Sequence, residues 1–126
     1  MTRASLLEKR AIIAGLAHPP ILGDTAFALF SLNLSDSILR GLAGVGAAER
    51  RTEEFRVLRQ GLGYAVSVFV EKVPREGFAV LQRAAAMEDK DIRWIVSENL
   101  KKKRIASRYP DDVQATLTLL SARETP

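Results

Sequence analysis

The chain has 126 residues, of which 47% are apolar and 27% charged, and its formal net charge is +4. This composition excludes an intrinsically disordered chain, and the length fits one folded domain covering residues 1–126. No cysteine is present, which excludes disulfides and thiolate chemistry, and the single histidine leaves little material for a transition-metal site.

The beginning of the sequence lacks the pattern of a signal peptide or a membrane anchor. Glu8, Lys9 and Arg10 interrupt the apolar run that a signal peptide would need. The best candidate for a membrane span, residues 25–34, is too short to cross a bilayer. We therefore expect a cytoplasmic protein without a membrane partner.

The first part of the chain is predicted to form two helices. Helix one should cover residues 4–18, because Pro19 and Pro20 cannot continue it. Helix two should begin near Asp24 and end before a glycine-rich stretch at residues 41–51. Its apolar face would contain Phe27, Phe30, Leu34 and Ile38.

Residues 52–73 carry the longest helical pattern, although Val66, Val68 and Val70 also favour a β-strand. Thr52 suits an N-cap position, and the acidic residues that follow it suit the positive end of a helix dipole. A single continuous apolar face favours the helix: Phe55, Leu58, Leu62, Ala65, Val66, Phe69 and Val73.

Three more helices are predicted in the second half of the chain. Pro74 suits the first turn of helix four, helix five should cover residues 89–108, and helix six should follow the sequence YPDD at 109–112. Six helices in three antiparallel pairs is the simplest arrangement. Their apolar residues are Phe78, Leu81 and Ala85 in helix four, Ile92, Ile95, Val96 and Leu100 in helix five, and Val113, Leu117 and Leu120 in helix six.

An acidic turn followed by Asp91, Ile92 and Arg93 opens helix five. With these residues, the region 55–105 resembles the end of bacterial HEAT-repeat arrays, and LEKRAIIAGLAHPPIL at residues 7–22 is similar to the hairpin that precedes it in such arrays. The resemblance implies an all-α fold: an αα-superhelix, or HEAT-like solenoid, of about three antiparallel helix pairs. It also implies a surface that binds other macromolecules, as in scaffolds, adaptors and a related branch of DNA alkylation-repair glycosylases.

Helix five also carries the excess positive charge, with seven basic and two acidic side chains in residues 90–108. Helical spacing predicts one stripe containing Arg93, Ser97, Lys101, Arg104 and Arg108. Such a stripe would suit phosphate groups, but cations at the end of a helix also stabilise its dipole without any ligand. The candidate residues for binding a partner or a nucleic acid are Arg93, Trp94, Lys101, Arg104 and Arg108.

Three residues at the start of helix five have structural interpretations, which we favour. Asp91 would satisfy backbone donors in the first turn, and Arg93 would reach an acidic turn of its own or a neighbouring repeat. Trp94 would pack at the rim of the core, the alternative being an exposed platform for stacking bases.

No group of residues resembles a catalytic site. His18 precedes Pro19 at a helix end, where a hydrogen bond to a terminal carbonyl is favoured over a role as a base. Gly61 and Gly63 lie inside a helical pattern, which favours close packing over a phosphate-binding loop. We expect no enzymatic activity, no cofactor and no metal site.

Helix one is apolar around most of its circumference, and such a helix normally has neighbours on more than one side. Helix two can cover only one of these sides. We therefore predict that helix one docks against another protein or a second copy of the chain. The simplest form is a homodimer with a two-fold interface built from Leu7, Ile12 and Leu16.

These observations predict a HEAT-like helical scaffold that mediates protein–protein interaction without catalysis. The alternative is a nucleic-acid-binding α-solenoid, related to DNA alkylation-repair HEAT-like proteins, that uses the basic stripe at 90–108. The two alternatives differ in the partner's chemistry. Salt dependence distinguishes them, because only phosphate contacts would make the affinity fall steeply with salt.

Overall fold

A computed structural model describes the backbone of residues 3–16 and 25–124 and the side chains of residues 5–15 and 25–122. The described residues form helices and turns with no strand among them, which confirms the predicted all-α class. In these ranges the helices are α1 (Arg3–Leu16), α2 (Thr25–Leu42), α3 (Ala47–Arg50), α4 (Glu53–Lys72), α5 (Pro74–Ala85), α6 (Lys90–Leu100), α7 (Lys103–Ala106) and α8 (Pro110–Glu124).

The six longer helices, of 11 to 20 residues, correspond to the six predicted ones. Two four-residue helices, α3 and α7, were not predicted. The predictions that concern His18, Pro19, Pro20, Asp24 and the side chain of Leu16 lie outside the described residues.

The prediction of one continuous helix over residues 89–108 is wrong. α6 ends at Leu100, Lys102 has extended backbone angles, and α7 begins at Lys103. On a continuous helix, Ile105 would lie about 140° around the axis from Leu100, away from the core. The break instead allows Ile105 to be fully buried.

α4 is the central helix of the fold. Its start is the predicted one, because the Thr52 hydroxyl caps it by accepting a hydrogen bond from the backbone N–H of Phe55 at 3.2 Å. It packs most closely against α1 and α6 and also contacts α2, α3, α5 and α7, while α5 packs against α2, α6 and α8. Fully buried apolar side chains from six helices fill the core, among them Leu6, Ile13, Leu32, Leu39, Leu58, Leu62, Phe69, Leu81, Ile92, Ile95 and Ile105.

The turn between α4 and α5 brings the two helices very close together. Pro74 occupies the first turn of α5, as predicted. A methyl group on Gly77 would lie 2.7 Å from the Cα atom of Val70, inside van der Waals contact. Glycine is therefore required at this position for the crossing of α4 and α5.

The buried face of α2 differs from the predicted one. Phe30 is 59% exposed, whereas Ser31 and Ser35 are fully buried. The Ser31 hydroxyl donates to the carbonyl of Phe27 at 2.9 Å, and the Ser35 hydroxyl donates to the carbonyl of Ser31 at 2.8 Å. Because these hydroxyl groups bond within the helix, their burial leaves no polar group unsatisfied. Of the other predicted members, Ile38 is buried, and Phe27 and Leu34 are partly buried.

Candidate functional site

The N-terminus of α6 is capped by Asp89. Its carboxylate accepts hydrogen bonds from the backbone N–H groups of Asp91 at 3.0 Å and Ile92 at 3.1 Å. The first-turn donors are therefore satisfied by Asp89, which corrects the prediction that gave this role to Asp91. The Asp91 carboxylate instead faces arginines of other elements.

Arg50, the last residue of α3, ties three parts of the chain together. Its guanidinium makes two parallel hydrogen bonds to Asp89, at 3.0 and 2.8 Å, and one to Asp91 at 2.9 Å. It also donates to the carbonyl oxygens of Leu42 at 2.7 Å and Val45 at 2.9 Å. All five N–H donors of this guanidinium are thus engaged inside the molecule.

The pKa values of Arg50 and Asp89 are both shifted in the direction that favours their charged forms. The hydrogen bond to Asp89 raises the pKa of Arg50 well above its ordinary value, although burial opposes the shift. Burial tends to raise the pKa of Asp89, but hydrogen bonds from Arg50 and from the backbone of Ile92 outweigh it and lower that pKa. The ion pairs and hydrogen bonds of this cluster join the end of α2, α3 and the start of α6.

Arg59 of α4 lies between Asp91 and Trp94 of α6. Its Nε atom is 2.9 Å from Oδ1 of Asp91, and its guanidinium carbon is 3.7 Å from the centre of the Trp94 ring. The indole also lies against Gly63, where an added methyl group would approach it to 3.1 Å. These contacts support the packing interpretation of Trp94, although the ring stays partly exposed.

Arg93 points along α6 towards the end of α8. Its guanidinium donates hydrogen bonds to the backbone carbonyl of Leu120 and, at 3.5 Å, to that of Ala85. That Arg93 reaches an acidic turn stays a prediction beside these carbonyl contacts. Arg93 thereby links α5, α6 and α8.

The remaining cations of the predicted stripe do not share one helical face, because the helix breaks at residues 101–102. Each of them instead has a partner within the chain. The contacts are Lys101 with Glu98 at 2.6 Å, Arg104 over the ring of Tyr64 at 4.9 Å from its centre, and Arg108 with Glu71 at 3.7 Å. Part of the positive charge of these three side chains therefore already interacts with groups of the same chain.

Buried Asn99 fastens α6 to the middle of α4. Its side-chain oxygen accepts the backbone N–H of Ser67 at 2.7 Å, and its side-chain nitrogen donates to the carbonyl oxygens of Leu62 at 2.9 Å and Ile95 at 2.8 Å. The side chain is fully buried, so these bonds replace all contact with water.

A groove of about 880 Å³ lies between α6 and α8. Its apolar lining comes from Trp94 on α6 and from Leu117 and Leu120 on α8, and Leu117 is 38% exposed. Ser97 and Ser121 add hydroxyl groups. The charged rim near the start of α6 contains Glu88, Asp89, Lys90 and Arg93.

α1 exposes two large apolar side chains, Leu7 at 47% and Ile12 at 46%. The side of α1 that bears Arg10 faces α4, because an added methyl group on Gly61 would lie 3.7 Å from the Cγ atom of Arg10. Ile12 is two residues further on, about 200° around the helix from Arg10, whereas Leu7 lies only about 60° from Arg10. The two exposed apolar side chains therefore lie on different flanks of α1.

Sequence reasoning missed Arg50, Arg59 and Asn99. Arg50 is 39 residues away from Asp89, and no local spacing connects such a pair. Asp89 itself could have been found, because an aspartate immediately before an amphipathic stretch is a signal for an N-cap. The groove could not have been found from the sequence, because it depends on how α6 and α8 pack against each other.

Within the described ranges, no three histidine or acidic side chains come together in a way that could bind a metal ion. The same part of the chain contains no helix that is both long and apolar enough to span a membrane. Comparison with protein-family models, curated proteins and solved structures found no match.

Proposed function

We propose that the chain is a cytoplasmic, non-catalytic helical-repeat module that binds a polypeptide partner. The observation that carries this proposal is the groove between α6 and α8, which combines apolar side chains with hydroxyl groups and a charged rim. Mixed surfaces of this kind, with an exposed apolar floor, are typical of protein-interaction sites.

The order in which the helices pack supports a repeated-hairpin, HEAT-like arrangement. α1 packs with α2, α4 with α5, and α6 with α8, which gives three hairpins. The first helices pack in the order α1, α4, α6, and the second helices in the order α2, α5, α8. Stacked hairpins with contacts between neighbours are the basis of helical-repeat proteins, and their exposed helical surfaces bind other macromolecules.

Site-specific photo-crosslinking tests the groove as the binding surface. A photo-reactive phenylalanine analogue replaces Ser121, which lines the groove, or Ala115, which is exposed elsewhere on α8. We expect a discrete adduct, identified by mass spectrometry, from position 121 and none from position 115. Adducts of the same kind and yield from both positions would contradict the proposal.

Nucleic-acid binding is the second candidate, because one surface cluster retains the right chemistry. Tyr64 is 48% exposed, and its ring lies near two cations, Lys102 at 5.6 Å and Arg104 at 4.9 Å. An exposed aromatic ring with neighbouring cations is a feature of single-strand binding surfaces. The internal partners of Lys101 and Arg108 weigh against it.

Salt-dependent titration with duplex and single-stranded DNA and RNA separates the two candidates. If phosphates are contacted, affinity should fall steeply with salt, and changing Lys101, Arg104 and Arg108 together to Gln should abolish binding. Under the polypeptide-binding proposal, we expect the wild type to bind DNA and RNA only weakly, and the triple variant to bind them equally weakly.

A further inference from the structure

Within the chain, the first helix of each later hairpin lies against both helices of the hairpin before it. α4 packs extensively against α1 and α2, and α6 packs extensively against α4 and α5. The valley between the two helices of a hairpin is therefore a docking place for one more helix, and two such valleys are occupied within this chain.

The third hairpin has the same valley, between α6 and α8, and this is where the groove of about 880 Å³ lies. In the first two hairpins the helix that occupies the valley is the first helix of another hairpin. α4 and α6, the first helices of the second and third hairpins, occupy the two valleys just described. α1, the first helix of the first hairpin, occupies neither.

α1 also has the surface that such a position requires. Its buried side chains Leu6 and Ile13 belong to the core of its own chain, and the side bearing Arg10 faces α4. A different flank of α1, about 200° around the helix from Arg10, carries Ile12, an isoleucine that is 46% exposed. In α4, likewise, Gly61 faces α1 and Gly63 faces α6, so that a first helix is contacted from both sides.

We propose that the groove between α6 and α8 binds α1 of a second copy of this chain, with Ile12 of that copy packed against Leu117 and the exposed part of Trp94. This inference rests on the proposed function and specifies its partner. The two surfaces differ, so the contact is head-to-tail, and a pair of copies keeps one groove and one α1 available for further copies. The two-fold dimer predicted from the sequence would instead join α1 to α1.

Sedimentation equilibrium at micromolar concentrations, with two variants, distinguishes these arrangements. Ile12→Glu removes the α1 surface and keeps the groove, whereas Leu117→Glu removes the groove surface and keeps α1. Each substitution should weaken self-association by roughly tenfold or more, because it places a carboxylate in an apolar contact. Leu7→Glu is the matched control, because Leu7 is equally exposed on the same helix but lies on a different flank, about 140° from Ile12.

A head-to-tail contact predicts complementation. The wild type and Leu7→Glu should form species that grow beyond a dimer with concentration, and each of the other variants alone should stay monomeric. An equimolar mixture of Ile12→Glu and Leu117→Glu should form a heterodimer through the one intact contact. Circular dichroism checks that each variant folds, and Ile12→Ser or Leu117→Ser replaces a variant that does not.

Two results would overturn the inference. One is a wild type that stays monomeric. The other is a wild type that associates through a different contact, so that Leu117→Glu still self-associates or the mixture of Ile12→Glu and Leu117→Glu forms no heterodimer. A crosslinked adduct from position 121 with a different protein, together with a monomeric wild type, would reject the second copy and retain the proposed function. The absence of any adduct from that position would count against both.

Discussion

Asn99 holds two helices together through a single buried amide. Its oxygen accepts from Ser67 and its nitrogen donates to Leu62, both on the backbone of α4. The amide is fully buried. Removing it would take a hydrogen-bond partner away from the backbone N–H of Ser67 and the carbonyl of Leu62, at a place that water cannot reach. A polar residue at this core position thus fixes the register of α6 against α4.

Replacing Asn99 with Ala should lower the free energy of unfolding by about 1–3 kcal/mol, because the α4 groups lose a buried hydrogen-bonding partner. Ser97→Ala on the same helix is the control, and it should change stability by less than about 0.5 kcal/mol, since Ser97 is partly exposed. Urea denaturation measures both. Equal effects from the two substitutions would argue against the role given to Asn99.

Asp89 should make stability depend on pH. Its pKa in the folded chain is lowered, so its charge stabilises the fold above the unfolded-state pKa, near about 3.9, and this contribution is lost as the pH falls through the lower folded value. Asp89→Asn can still cap α6 but loses the charge that pairs with Arg50. Urea midpoints should show the variant less stable at neutral pH, with the difference shrinking in acid. Parallel pH profiles for wild type and variant would contradict this.

At the scale of helices, local sequence signals set most of the boundaries. Thr52 and Pro74 mark the starts of α4 and α5, and these were predicted because capping and proline effects act within one turn. The break after Leu100 was not predicted, because it arises from the burial of Ile105 against other helices. In α2, the buried serines were missed for a related reason, since their hydroxyl groups bond within the helix.

The close approach of α4 and α5 gives a pair of opposite predictions for glycine. Gly77→Ala should destabilise the fold by about 1–3 kcal/mol, because the added methyl group would meet the backbone of Val70. Gly15→Ala in α1 meets no atom of the described residues within 4 Å and should stabilise the fold by about 0.5–1 kcal/mol, through the better helix propensity of alanine. Thermal unfolding of both variants compares them directly. A stabilised Gly77→Ala would show that the crossing is looser than described.

For the whole molecule, the sequence predicted the all-α class and the number of long helices, but it gave no sign of the groove that we propose as the binding surface. The cations at 93–108 stood out in the sequence, and in the folded chain several of them contact Glu98, Tyr64 and Glu71. The groove between α6 and α8 has no unusual sequence, because it is formed by the positions of two helices. Apolar exposure on α1, by contrast, was visible from helical spacing, and Leu7 and Ile12 are about half exposed.

We propose that the α6/α8 groove is covered when the chain associates, and Trp94, the single tryptophan, lies in that groove. Acrylamide quenching of its fluorescence is therefore the most direct test. Quenching should fall as the wild-type concentration rises, and it should not change with concentration for Leu117→Glu. In Ile12→Glu, which keeps its groove, quenching should fall only when Leu117→Glu is added. Association that leaves Trp94 equally accessible to acrylamide would contradict the claim.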